Sequence, residues 1–115
     1  MICVLGFYKR KPGLTHEEFC SHWKNVHAKL AMETPEIAKY IRKYVQHRLH
    51  PTDVFPGVES AGYDGMSEVW VDTIDDFRAM AMEPKFQELM APDEEKFIDL
   101  AAKRIMMVDD PQIIR

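Results

Sequence analysis

Apolar side chains alternate along residues 2–10 in two sets, which predicts a β-strand with apolar groups on both faces. Val4 and Tyr8 point to one face of this strand, while Leu5 and Phe7 point to the other. Similar alternation predicts three more strands, at residues 40–50, 65–73 and 104–108. A loop rich in Pro, Gly, Ser and Asp, residues 51–64, joins the second strand to the third, and loops of this length are commonly functional.

A period near 3.6 residues follows the first strand and predicts an amphipathic helix. Thr15 and Glu18 have the spacing of a capping box, and the helix should end before Pro35. Its apolar stripe is formed by Phe19, Trp23, Val26, His27, Leu30 and Ala31. A second helical region is predicted over residues 73–102, with an interruption at Pro84.

The order strand, helix, strand, strand, helix, strand predicts an α+β fold of the ferredoxin-like βαββαβ type. In this fold both helical layers cover one face of an antiparallel sheet and leave the other face bare. The residues assigned to the bare face are large and apolar: Tyr8, Tyr44, Met66 and Trp70. Because such a face marks an interface or a binding site, the sequence predicts a homodimer packed sheet to sheet. The polar residues Gln46 and Glu68 would then line a cavity.

Composition limits the classes of protein to which the chain can belong. The 115 residues suit a single domain, residues 1–115, and 46% hydrophobic with 30% charged residues is typical of a soluble globular protein. The net charge of −4 gives no electrostatic reason to expect nucleic acid or an anionic membrane as partner. Cys3 and Cys20 do not make a disulfide framework, and the N-terminal apolar run precedes its charges, unlike a secretory signal. We therefore expect a cytoplasmic protein.

The spacing of the possible ligands predicts neither a metal nor a nucleotide cofactor. His16 and His22 are six residues apart, whereas the zinc helix motif has its histidines at i and i+4. The five glycines are scattered and do not form a phosphate-binding loop.

Several runs of residues together resemble the EthD-domain family. They are residues 6–19, His22-Trp23, the Val-His-Ala run 26–28, Asp64-Gly65, the Glu-Val-Trp run 68–70, and the acidic stretch 93–99. The resemblance covers about residues 2–108 and implies a dimeric α+β barrel, whose members are mostly homodimers around ligand pockets. The family often has proline after the His-Ala pair, where this chain has Lys29, so the first helix is predicted to run straighter.

The resemblance places His27 beside the pocket, where an imidazole can act as general acid or base. On the helical spacing alone, a core histidine bonded to a backbone carbonyl is the better interpretation, and the resemblance makes the two interpretations about equally good. Tyr44 is predicted to donate a proton or hold an oxyanion, and Glu68 to orient His27 or take a proton itself. The predicted ligand contacts are Gln46, Trp70, Trp23, Tyr8 and His22. The alternatives are interface packing for Tyr44 and Trp70, and a place at the edge of the core for His22.

The resemblance implies several related activities. Similar proteins include muconolactone isomerases, polyketide cyclases and fungal enzymes that dehydrate or decarboxylate polyketides, and quinol monooxygenases and haem-degrading proteins are more distant. We therefore expect a homodimer that binds a small hydrophobic or aromatic, oxygenated ring compound and carries out acid–base chemistry without a cofactor. Two alternatives remain open, namely a non-catalytic ligand-binding accessory protein to an oxygenase and a haem- or quinol-oxidising monooxygenase.

Overall fold

A computed structural model describes residues 1–115 and contains one four-stranded antiparallel sheet. The strands are β1 (Ile2–Tyr8), β2 (Lys43–Arg48), β3 (Gly65–Val71) and β4 (Arg104–Val108), in the spatial order β2-β3-β1-β4. The helices pack on one face of the sheet, so the predicted α+β, ferredoxin-like βαββαβ fold is confirmed. No helix has both the length and the apolar character needed to cross a bilayer.

The first helical layer is α1 (His16–His22), a π-helical turn (Trp23–His27), α2 (Ala28–Glu33) and α3 (Pro35–Ala38). The predicted capping box is present, since Thr15 Oγ1 accepts from the Glu18 backbone N–H and the Glu18 carboxylate accepts from the Thr15 N–H. In the π turn the Ala28 N–H donates to the Trp23 carbonyl five residues earlier. The extra residue in this turn rotates the side chains around the helix axis relative to an α-helix, so the buried stripe differs from the one predicted with the α-helical period.

The prediction that the first helix keeps a regular α-helical period is therefore wrong. The α-helical period placed Val26 in the buried stripe, but its side chain is 45% exposed, whereas Trp23 and His27 are buried. The π turn thus presents the His27 ring to the interior while Val26 turns to solvent.

The second helical layer is α4 (Ile74–Met82), a π-helical turn (Phe86–Met90), α5 (Ala91–Phe97) and a short 3₁₀ turn (Leu100–Ala102). Thr73 caps α4 by accepting from the Asp76 N–H. As predicted, the helical region is interrupted near Pro84, because proline cannot donate the helical hydrogen bond. Each helical layer therefore contains one π turn.

The strand register decides which side chains face the helices. Tyr44 lies opposite Val69 and Val69 opposite Val4, so these three share a face, whereas Trp70 pairs with Lys43 and Cys3. Because side chains alternate with period two, Tyr44 and Trp70 must point to opposite faces. Tyr44 faces the helices, as does Tyr8, whose ring meets Trp23 edge to face. The assignment of Tyr8 and Tyr44 to the bare face is wrong, and of the four residues assigned to it Met66 and Trp70 lie there.

Asp64 ties together three segments at one end of the sheet. Its carboxylate accepts from the Arg10 backbone N–H and guanidinium, at 2.8 Å each, and from His16 Nδ1 at 2.9 Å. Although burial alone would raise its pKa, these bonds hold the pKa of Asp64 below its ordinary value. The other nitrogen of His16 lies 3.4 Å from Cys20 Sγ, and burial raises the pKa of this thiol, so it stays protonated. The cluster fixes the end of β1 and the start of β3 against α1.

Gly65 leaves the space that the Trp23 indole occupies. A Cβ at this position would meet Trp23 Cη2 at 2.8 Å, and Trp23 itself is fully buried. We expect Gly65→Ala to lower the free energy of unfolding by roughly 1–3 kcal/mol, as overpacked cores do, measured by urea titration. Gly65 does not have a positive φ, so the added methyl group is costly because of crowding and not because of backbone strain. A free energy of unfolding within about 0.5 kcal/mol of the parent would contradict the crowding at Gly65.

Candidate functional site

A cavity of about 100 Å³ lies between the helix-facing side of the sheet and the two helical layers. We call it the central cavity. Its apolar walls include all four members of one core cluster: Ala31, Ile37, Met80 and Met90. Its polar groups come from both layers and from the sheet: Tyr8, His27, Tyr44, Ser67, Glu94 and Lys103. A mostly apolar cavity with a few convergent polar groups is typical of a small-molecule site.

His27 is held in the wall of the cavity by a carboxylate. Its Nδ1 lies 2.8 Å from Asp93 Oδ2, and the second oxygen of Asp93 lies 2.9 Å from His22 Nε2. Asp93 is 3% exposed, so one buried carboxylate joins two imidazoles from the first helical layer to α5. The Phe97 ring packs on both imidazoles. The carboxylate fixes the Nδ1–H tautomer of His27, which leaves Nε2 as an acceptor.

Burial sets the protonation state of His27. Removal from water lowers the pKa of His27 below its ordinary value of 6.5, although the hydrogen bond to Asp93 and the charge of Glu94 oppose this shift. At neutral pH the ring is therefore uncharged, with its Nε2 lone pair free. No buried side-chain nitrogen or oxygen of the protein lacks a hydrogen-bond partner, so Nε2, which makes no hydrogen bond, is not fully buried, and His27 lines the cavity. This is the arrangement of a general base.

Two tyrosine hydroxyls face the same cavity. Burial raises the pKa of Tyr8 and of Tyr44 to about 12 each, so both remain protonated at neutral pH. Tyr8 exchanges a hydrogen bond with Ser67, and Tyr44 accepts one from Gln46 Nε2 at 3.0 Å. Because its oxygen already accepts from Gln46, Tyr44 has its O–H free to donate to a ligand. Gly6 has no side chain, which leaves room for the Tyr8 hydroxyl above the sheet.

Glu94 and Lys103 form a partly buried ion pair at the cavity wall. Lys103 Nζ lies 2.8 Å from Glu94 Oε1 and also stands over the Tyr8 ring at 5.8 Å from its centroid. Glu94 follows Asp93 in α5, so two adjacent acids serve different partners. Asp93 orients His27, while Glu94 holds a cation beside Tyr8.

Of the three residues predicted to be catalytic, two line the cavity and one does not. His27 and Tyr44 are present there, but Glu68 lies on the opposite face of the sheet, where it accepts from His47 and from the Trp70 indole N–H. Glu68 therefore cannot orient His27, and that prediction is wrong because of the strand parity described above. Trp70 lies beside Glu68 and is equally remote from the cavity.

The remaining predicted contacts divide between the cavity and its surroundings. Tyr8 lines the cavity. Trp23 is fully buried next to the cavity without lining it, and His22 lies behind Asp93 with its ring stacked on Phe97. Gln46 lines a neighbouring cleft and bonds Tyr44 and the Trp23 carbonyl. Trp23 and His22 therefore do not line the central cavity, and their contact with a ligand stays a prediction.

Sequence reasoning missed Asp93, Glu94 and Lys103. Asp93 and Glu94 follow Pro92 in the first turn of α5, where acidic side chains interact favourably with the helix dipole. This local role was enough to explain the two acids from the sequence. The only available signal was that Asp93 and Glu94 lie in the stretch that resembles the family. The chain contains no group of three or more His, Cys, Asp or Glu side chains arranged to hold a metal ion.

Comparison with known proteins relates the chain to a family and to several enzymes. The family model of the EthD domain matches residues 11–101. The dehydratase ustZ of Ustilaginoidea virens is 27% identical over 111 residues, covering 90% of this chain and 78% of that protein. A decarboxylase of Claviceps purpurea is 30% identical over 115 residues, covering 92% of this chain and 79% of that protein.

Solved structures show the same fold at lower identity. A crystal structure of an EthD family protein from Bacillus halodurans has a TM-score of 0.69 at 20% identity, covering 96% of this chain and 99% of the other. A dimeric protein of ferredoxin-like fold from Bacteroides fragilis has a TM-score of 0.64 at 15% identity, covering 95% of each chain.

Proposed function

This chain belongs to the EthD-domain family, and from that premise we propose that it is a homodimeric enzyme that dehydrates or decarboxylates a small oxygenated ring compound by acid–base chemistry. The relatives at 27–30% identity are named a dehydratase and a decarboxylase, which supports an enzymatic function. The single observation that carries the proposal is the His27 imidazole, fixed by Asp93 and facing an apolar cavity with its Nε2 free.

The proposed chemistry is proton transfer next to a ring carbonyl. For a dehydration, His27 Nε2 takes the proton from the carbon beside the carbonyl, and the electron pair of that bond forms an enolate. The enolate then expels the β-hydroxyl, which takes the proton back from His27 and leaves as water. Asp93 stabilises the imidazolium that forms between the two steps, and its position on Nδ1 keeps Nε2 directed at the substrate.

Tyr44 and Tyr8 are the donors available to the enolate oxygen. Both hydroxyls are protonated at neutral pH because burial raises their pKa values to about 12. A donor held in a dry cavity stabilises a developing oxyanion more than it would in water. In a decarboxylation carbon dioxide leaves, and the electrons of the broken carbon–carbon bond form the same enolate. His27 then relays a proton from water to the carbon, and the hydroxide that remains passes to the solvent. One set of groups therefore serves both reactions.

The size and lining of the cavity favour a single ring. A cavity of about 100 Å³ lies below the usual 300–1,000 Å³ of ligand pockets, so the ligand is small or the walls move. Met80 and Met90 form part of the wall, and flexible thioether side chains repack at low cost. The two methionine side chains can therefore adjust to a ring whose shape differs from that of the cavity.

Two single-ring compounds test the function. The first is 3-hydroxycyclohexanone, which gives cyclohexenone when it loses water, and the second is 2-oxocyclohexanecarboxylate, which gives cyclohexanone when it loses carbon dioxide. We expect the protein to accelerate at least one of these reactions above buffer, measured by absorbance and by mass spectrometry. Rates equal to those of the His27→Gln variant in both assays would contradict the proposal.

The bare face of the sheet supports the proposed homodimer. It carries apolar side chains from all four strands: Leu5, Phe7, Val45, Met66, Trp70 and Met106. Met106 is 53% exposed on the edge strand β4, which is uncommon for a large apolar residue unless another surface covers it. The dimeric neighbour of ferredoxin-like fold is consistent with a second copy as the covering surface.

A charge on the bare face is expected to separate the subunits. Sedimentation equilibrium at micromolar protein should give about twice the 13.4 kDa chain mass for the parent, and the chain mass for Met106→Glu, because a carboxylate in an apolar interface loses its hydration. Met82→Glu is the matched control, since Met82 is 78% exposed on α4 in the opposite layer. A monomeric parent, or equal masses for the two variants, would contradict the dimer.

A further inference from the structure

A cleft rich in cations adjoins the central cavity. It has a volume of about 630 Å³ and lies between α2 and the edge strand β2. Its lining contains no acidic residue and four basic ones: Lys24, Arg42, Lys43 and Arg48. We call it the basic cleft. The whole chain has 19 acidic and 15 basic residues and is therefore negatively charged, whereas the lining of this cleft is positively charged.

Two of the four cations are already engaged. Arg42 pairs with Asp72, with NH2 at 2.9 Å from Oδ2, and the Lys43 ammonium stands 5.9 Å from the centroid of the Trp70 ring. Lys24 and Arg48 make neither an ion pair nor a side-chain hydrogen bond within the protein. Two unpartnered cations beside one cleft raise the local potential and attract an anion.

The basic cleft and the central cavity share two residues, Ile41 and Tyr44. Tyr44 therefore lies between them, and its hydroxyl accepts a hydrogen bond from Gln46, which lines the cleft. A ligand that reaches from one to the other across Tyr44 would have its apolar part in the cavity with His27 and its outer substituent in the cleft. Because the cavity is mostly apolar and the adjoining cleft carries two unpaired cations, one end of that ligand should be apolar and the other negatively charged.

We propose that the ligand is a ring compound with a carboxylate substituent, and that Lys24 and Arg48 hold this carboxylate in the basic cleft while the ring occupies the central cavity. The proposal rests on the function proposed above and adds the substrate class. Arg48 can bind a carboxylate through two parallel N–H donors, whereas Lys24 contributes a point charge. Because both side chains are exposed, the attraction weakens as salt screens it.

Salicylate and phenol test the proposal, because they differ only in the carboxylate. We expect salicylate to bind at least tenfold more tightly than phenol at low salt, measured by NMR chemical-shift titration of the His27 ring. In Lys24→Met/Arg48→Met the affinity for salicylate should fall about tenfold or more, to near that of phenol, while phenol binding is unchanged. Raising the salt concentration should reduce the advantage of salicylate in the parent.

A second double variant controls for net charge. Lys29→Met/Lys96→Met removes two exposed cations that have no ion pair and do not line the cleft, so salicylate should bind it like the parent. Equal binding of salicylate and phenol to the parent would overturn the carboxylate site and leave the proposed function standing. Salicylate binding that is insensitive to Lys24→Met/Arg48→Met would overturn it as well. If neither compound shifts the His27 ring signals, both the carboxylate site and the proposed cavity function fail.

Discussion

Replacement of His27 by glutamine is expected to lower turnover roughly 100-fold or more, because the general base is lost from the cavity. His22→Gln is the matched control. His22 binds the same Asp93 carboxylate at nearly the same distance but does not line the cavity, so its loss should change turnover by less than about threefold. Rates with the two cyclohexane substrates and thermal melting of both variants measure the difference.

Thermal melting separates catalysis from folding in this comparison. Each substitution removes one of two hydrogen bonds to Asp93, so both variants should lose a similar amount of stability, on the order of 1 kcal/mol. A large fall in activity for His27→Gln alone is then a catalytic effect. If His27→Gln unfolds while its remaining folded fraction keeps full activity, His27 is structural and a non-catalytic ligand carrier becomes the better interpretation.

The pH dependence of the parent follows from the shifted pKa of His27. Burial lowers this pKa below 6.5, so the neutral base persists into weakly acidic solution, and the rate should fall only as the pH passes below the ordinary histidine range. The same shift links His27 to stability. Its contribution is fully present above the unfolded-state pKa of about 6.5 and is lost as the pH falls through the lower pKa of the folded state.

The fold could be predicted from the sequence because the patterns that indicate its strands and helices are local. Each pattern involves residues only a few positions apart, as in the alternation along residues 2–10 and 65–73 and in the capping box of Thr15 and Glu18. The order of these elements predicted their arrangement, and the resemblance to the EthD domain agreed with it and also pointed to His27.

The candidate site was harder to predict because it depends on register and on long-range pairing. Tyr44 and Trp70 were assigned to one face from alternation alone, yet the pairing of Lys43 with Trp70 sets them on opposite faces. A shift of one residue in register reverses every side chain of a strand, and no local pattern fixes it. Glu68 was therefore chosen as the partner of His27 in place of Asp93, which lies 66 residues away in the chain.

The first π turn explains a further part of the difference between prediction and structure. An α-helical period brings Val26 and His27 onto one stripe, but the inserted residue leaves Val26 exposed and His27 buried. The second π turn, at Phe86–Met90, precedes the helix that carries Asp93. Both partners of the His27–Asp93 hydrogen bond are thus positioned by local departures from α-helical geometry, which often accompany functional sites.

Asp93→Ala is expected to cause the largest loss of stability among the variants of the site, roughly 2–4 kcal/mol. The substitution leaves the donors of His22 and His27 without an acceptor, and a buried unsatisfied polar group costs about 1–3 kcal/mol. For a domain of this size each kcal/mol lowers the melting temperature by roughly 4–8 °C, so a fall of about 10 °C or more is expected in a thermal scan. Asp93→Asn is the control, because its carbonyl oxygen still accepts one hydrogen bond and it should lose clearly less stability. In Asp93→Asn the pKa of His27 should also fall further, since the carboxylate that favours the imidazolium is gone, and an NMR titration of the ring measures this shift. An Asp93→Ala protein that melts within about 2 °C of the parent would show that the two imidazoles do not depend on this carboxylate.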